Sequence, residues 1–193
     1  MTKIILESGN ILSFRGDALI CFCDSDLTFR KNNPILSAFA AKTKLNSSQK
    51  LVINKSYAQS KDQEDNLLKE LSAIGFCEIG NAVITKAYDI NVKHFIFAPY
   101  IDNENPNNKL NFVLFHKALR SAFTLANLYG VKSLAVPILR IKIPKKEFMD
   151  KVISQVFDTK KEVSLSEKEL TDIIIAISKE FENQSLEEIF IYR

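Results

Sequence analysis

The chain has 193 residues, enough for a single domain (1–193) with a substantial core, and 46% hydrophobic against 25% charged residues is an ordinary globular balance. Lys+Arg 26 against Asp+Glu 23 leaves +3, no strong nucleic-acid signal, and no apolar run approaches the roughly 18 residues of a membrane span. Three cysteines argue against a disulfide framework, and Glu7 breaks the apolar start too early for a signal peptide, so a cytoplasmic protein without a cofactor or metal is expected.

In chain order, Lys3 to Leu6 reads as a first strand, turned by Ser8-Gly9-Asn10, with Ile11 to Phe14 extending it. Asp17-Ala18-Leu19-Ile20-Cys21-Phe22-Cys23-Asp24 follows, six apolar residues between acidic ends, the mark of a strand buried on both faces. Pro34 opens a short helix, Ile35 to Lys42, and residues 43–63 form a polar excursion with a short strand at Leu51 to Ile53. Leu67, Leu68, Leu71 and Ile74 repeat at helical spacing before Gly75, which suits a helix C-cap. Two β-rich runs follow at Ala82 to Thr85 and His94 to Ala98, then a loop at Asp102 to Asn108. Asn111 to Tyr129 is the strongest helix, stopped by Gly130, and Ser133 to Ile138 is a short buried strand. Lys145 to Phe157 and Ser166 to Glu182 read as amphipathic helices, the second with Ser166 and Glu169 at capping-box spacing, and Leu186 to Tyr192 is a last strand. Strands alternating with helices predict an α/β fold, with a mostly parallel sheet between two layers of helices.

The order of these motifs resembles the macro domain, the family that binds ADP-ribose and its relatives. Asp17-Ala18-Leu19-Ile20 is similar to the family's D-A-I-V strand, and Cys77-Glu78-Ile79-Gly80-Asn81-Ala82 through Tyr88 is similar to its C-x-x-G-E-A-x-x-T-x-G-Y motif. The resemblance runs from Glu7-Ser8-Gly9-Asn10-Ile11 to the final strand and implies a three-layer α/β/α architecture with a mixed, mostly parallel sheet.

It also implies a site, which this chain alters. Where the family has N-A-A-N, facing the distal ribose, this chain has Cys21-Phe22-Cys23-Asp24. An Asp accepts from a hydroxyl but cannot donate as an amide does, and it brings negative charge toward a diphosphate. The glycine-rich loop that follows is replaced by Thr28-Phe29-Arg30-Lys31-Asn32-Asn33, and the second phosphate loop by Ile138-Leu139-Arg140-Ile141-Lys142-Ile143-Pro144, neither with a glycine. Asp17 matches the aspartate that accepts from the adenine amino group, although a Gly-Asp pair at a strand start also suits a turn or cap. Tyr192 could pack on an adenine or serve as edge packing. The expected ligand-binding set is therefore Asp17, Asp24, Arg30, Arg140 and Lys142, with Phe29, Leu139 and Ile141 filling the cleft.

Three functions compete. The first is a divergent macro-domain protein binding ADP-ribose or another adenine nucleotide weakly, without catalysis. The second is a scaffold that has lost the ligand and acts through protein or nucleic-acid contacts. The third is an ADP-ribosyl hydrolase with a rebuilt site, for which Asp24 or Asp26 would have to act as the base. Millimolar ADP-ribose should give little thermal shift. Asp17→Ala should erase any adenine preference, and loss of Arg140 and Lys142 should weaken all phosphate ligands alike.

Overall fold

The computed structural model describes residues 2–27, 66–88, 91–100, 111–138, 142–144, 162–164, 166–181 and 184–193. Six strands form one sheet: β1 (Lys3–Glu7), β2 (Gly16–Cys23), β3 (Val83–Lys86), β4 (Val92–Pro99), β5 (Ser133–Pro137) and β8 (Glu188–Tyr192). Their order is β1-β8-β5-β2-β4-β3, parallel throughout except for β3, which runs antiparallel to β4. The three described helices are α1 (Asn66–Ile74), α2 (Asn111–Leu128) and α3 (Glu167–Lys179). A separate antiparallel pair joins β6 (Lys142–Pro144) to β7 (Glu162–Ser164). The mixed, mostly parallel sheet between helical layers is the architecture expected from the sequence.

β2 explains why its apolar run has no polar alternation. Ala18, Ile20 and Phe22 enter one core with Phe115, Leu119 and Phe123 of α2 and with Leu170, Ile174 and Ile177 of α3. Leu19, Cys21 and Cys23 enter the other, with Leu67 and Leu71 of α1 and with Ile11, Leu12 and Phe14. Side chains alternate across a strand, so a central strand covered on both sides must be apolar at every position. Burying each Leu or Ile contributes about 1.5–3 kcal/mol. The cysteine thiols are free and buried, and burial pushes those of Cys21 and Cys23 well above their ordinary range.

Helix ends follow their local signals. Gly75 and Gly130 adopt left-handed φ of 74° and 66° after α1 and α2, where their lack of a Cβ removes the steric cost. The predicted capping box at α3 is formed, with Ser166 Oγ accepting from the Glu169 N–H at 3.2 Å and Glu169 Oε2 accepting from the Ser166 N–H at 2.7 Å.

Two local expectations change. Ile11 to Ser13 is a 3-10 turn rather than an extension of β1, because Asn10 Oδ1 accepts from the Leu12 N–H at 3.0 Å and diverts the backbone from a ladder. Lys142 to Pro144, expected as loop, is the β6 strand. The anticipated helices at Ile35 to Lys42 and Lys145 to Phe157 and the strand at Leu51 to Ile53 lie outside the described residues.

Candidate functional site

The next described helices after β2 and β5 lie on opposite faces of the sheet. Beyond β2 the chain reaches α1, which packs on the core containing Leu19 and Cys21. Beyond β5 it reaches α3, which packs on the opposite core. In open α/β sheets ligands bind outside the carboxyl ends of such adjacent parallel strands. Here that point is flanked by Cys23-Asp24 after β2 and Pro137-Ile138 after β5.

Hydrogen bonds tie the surrounding turns to this edge. The Leu27 N–H donates to the Asp24 carbonyl at 2.9 Å, and the Cys77 N–H donates to the Ser25 carbonyl at 2.8 Å. Leu27 is fully buried in the core and takes an unusual left-handed φ of 59°, so the Asp24-Ser25-Asp26 turn is clamped at its far end. On the β8 side, the Ile138 N–H donates to the Tyr192 carbonyl at 2.8 Å, and the Arg193 N–H donates to the Glu7 carbonyl at 3.1 Å. Tyr192 is half-buried, its ring edge-on to Phe14 with centroids 6.3 Å apart. Burial and the Glu7 carboxylate push the Tyr192 hydroxyl's pKa up, against a hydrogen bond with the Ser13 side chain. The carboxyl edge thus joins Asn10, Asp24, Ile138, Tyr192 and the exposed Arg193.

Asp17 lies elsewhere. It sits at the amino end of β2, about 23 Å from Asp24 along an extended strand. Its Oδ2 accepts from the backbone N–H groups of Lys132 and Ser133 at 2.8 and 3.1 Å, and Ser133 Oγ accepts from the Asp17 N–H at 2.9 Å. Lys93 Nζ stands 2.7 Å from Oδ1, and the Asp17 side chain is 16% exposed. Burial works to raise its pKa, yet the Lys93 bond and the two amides outweigh it and hold the carboxyl below its ordinary value. Geometrically this is a latch between the starts of β2, β4 and β5.

Of the other sequence candidates, Asp24 stands directly after the carboxyl end of β2. The Lys142 backbone opens β6, four residues beyond Ile138. Arg30 and Arg140 lie outside the described residues, as do Phe29, Leu139 and Ile141, on which the expected filling of the cleft rests. Sequence reasoning gave no role to Asn10 or Arg193. Arg193 directly follows β8 and Asn10 lies three residues beyond β1, so the sheet order, not a motif, is what places both at the carboxyl edge.

Neither histidine supplies a recognisable catalytic pair among the described residues. His94 Nδ1 is 3.3 Å from the Thr85 carbonyl, within the β3–β4 pairing. His116 packs its ring against Phe112 and Phe115, with centroids 4.6 and 6.4 Å away. Burial, helped by Arg120 and opposed by Glu180, lowers its pKa below the ordinary 6.5.

The sheet order and the helical layers define a mixed, mostly parallel α/β domain, and comparison gives the family. The Macro domain family model matches residues 40–145, more than half of the chain, and the chain belongs to the macro domain family. It is similar in structure to the macro domain of ganglioside induced differentiation associated protein 2 at 12% identity, covering 98% of this chain and 76% of that one with a TM-score of 0.62. The Trypanosoma brucei macrodomain in complex with ADP-ribose aligns at 14% identity with a TM-score of 0.60, covering 98% of this chain and 62% of that one, so this chain spans less than two thirds of its length. The Mycobacterium tuberculosis DarG macrodomain aligns at 12% identity over 99% and 98% of the two chains, with a TM-score of 0.56. No curated protein matches the sequence. At these identities the likeness speaks for the fold.

Proposed function

We propose that the chain is a non-catalytic module that binds ADP-ribose or another adenine nucleotide weakly, at the carboxyl ends of β2, β5 and β8. The observation that carries this reading is the adjacency of the carboxyl ends of β2 and β5, with the next described helices after them on opposite faces, in a chain of the macro domain family. A macrodomain of the same fold is solved with ADP-ribose. Asp24 accepts from a ribose hydroxyl, Tyr192 offers an aromatic surface, and Arg193, with Arg30, Arg140 and Lys142, supplies positive charge for phosphate. Asp17 belongs to the sheet in this reading and leaves the ligand set.

Weak affinity follows from charge and backbone. Asp24 and Asp26 repel a diphosphate, and the loops after β2 and β5 have no glycine to bring backbone N–H groups close to it. Thermal unfolding with ADP-ribose, ADP, GDP and ribose 5-phosphate tests the reading. A ligand present at its Kd stabilises by about 0.4 kcal/mol, or about 1–2 °C for a chain of this size. The expected result is a shift of that order with ADP-ribose near millimolar concentration, smaller with GDP, and no release of ADP-ribose from a modified protein. A large shift at micromolar ADP-ribose would show a rebuilt tight site, and no shift with any ligand at several millimolar would leave the scaffold reading standing instead.

A further inference from the structure

We infer that β1 is a self-pairing edge, through which two copies of this chain join antiparallel into one continuous sheet. The Lys3 N–H donates to the Glu187 carbonyl and the Glu7 carbonyl accepts from Arg193, so alternate residues Lys3, Ile5 and Glu7 face β8. The backbone groups of Ile4 and Leu6 therefore point away from the sheet, and β8 is the only strand that β1 pairs with among the described residues. Leu6 is 49% exposed on this edge. The opposite edge is treated differently: Glu70 of α1 lies against β3, its Oε2 accepting from the Lys86 N–H at 3.3 Å and the Tyr88 hydroxyl at 3.0 Å. An open edge is a template for another strand unless blocked.

The sequence of β1 names the occupant. Lys3-Ile4-Ile5-Leu6-Glu7 is symmetric in character about Ile5. An antiparallel copy centred there sets Lys3 opposite the partner's Glu7, twice by symmetry, and Ile5 opposite the partner's Ile5. In the same register Ile4 and the partner's Leu6 are opposed, and these are the residues whose backbone groups point outward, so each such pair exchanges both N–H···O=C bonds. Hydrogen bonding, charge and cover for Leu6 are satisfied by one register. A register shifted by one residue would break the charge pairing.

Sedimentation equilibrium of the whole chain tests this. The expected result is reversible association toward twice the 21.9 kDa chain mass, with a Kd on the order of 100 µM, as befits a contact smaller than ~1,200 Å². Glu7→Lys and Lys3→Glu, each of which sets like charges opposite one another twice, should weaken the dimer about tenfold. The double variant Lys3→Glu/Glu7→Lys should restore it, an outcome that loss of the exposed Lys3–Glu188 contact (3.6 Å) cannot produce. Leu6→Pro removes an outward donor and should abolish association while leaving the melt near that of the parent. A monomer at every concentration, a dimer indifferent to the single reversals, or a double variant no better than either single one would overturn the inference.

Discussion

Asp17 shows how one carboxylate can tie three strand starts together. Its two oxygens receive two backbone N–H groups and an ammonium, so removing it leaves the Lys132 and Ser133 amides without their acceptor. Asp17→Ala should cost about 1–3 kcal/mol in denaturant melts at neutral pH. The sign of its pH dependence follows from a folded pKa below the ordinary 3.8. Its contribution is complete above that value and is lost as pH falls through the lower folded value. The parent and Asp17→Ala should therefore converge in stability in strong acid, and a constant gap across pH would contradict the latch. The sequence marks the residue as polar at a strand start but cannot say which neighbouring amides it meets, since Lys132 and Ser133 lie more than a hundred residues away.

Among the elements, those with a local cause were legible and those with a distant one were not. β2 could be read because burial on both faces erases alternation, and α3 because Ser166 and Glu169 form their box within one turn. The β6–β7 pair escaped notice because three residues per strand carry too little pattern, and its partner lies far along the chain. The 3-10 turn at Ile11 escaped because Asn10's cap competes with an apolar run that would also suit a strand. Gly16 marks a tight joint between this segment and β2. A Cβ there would collide with the Phe14 ring and lie 2.7 Å from Ser133 Oγ. Gly16→Ala should destabilise by about 1–3 kcal/mol, the usual cost of overpacking, and thermal melts should show it. An unchanged melting temperature would mean that Phe14 moves aside freely.

At the scale of the whole molecule, function follows from direction. Five of the six sheet strands point the same way, so their carboxyl ends gather at one edge and their amino ends at the other. Asp24, Ile138, Tyr192, Asn10 and Arg193 share the first edge; Asp17, Lys132 and Lys93 share the second. The family resemblance and the fold class could be read from motif order, but the division of polar residues between edges needed the sheet order, which residue spacing does not encode. Backbone amide chemical shifts during an ADP-ribose titration test the central claim of weak binding at the carboxyl edge. The account predicts fast-exchange shifts at Asn10, Asp24 to Leu27, Ile138 and Tyr192, with those of Asp17, Lys132 and Ser133 unmoved. Shifts concentrated around Asp17, or none at any residue in several millimolar ligand, would contradict it.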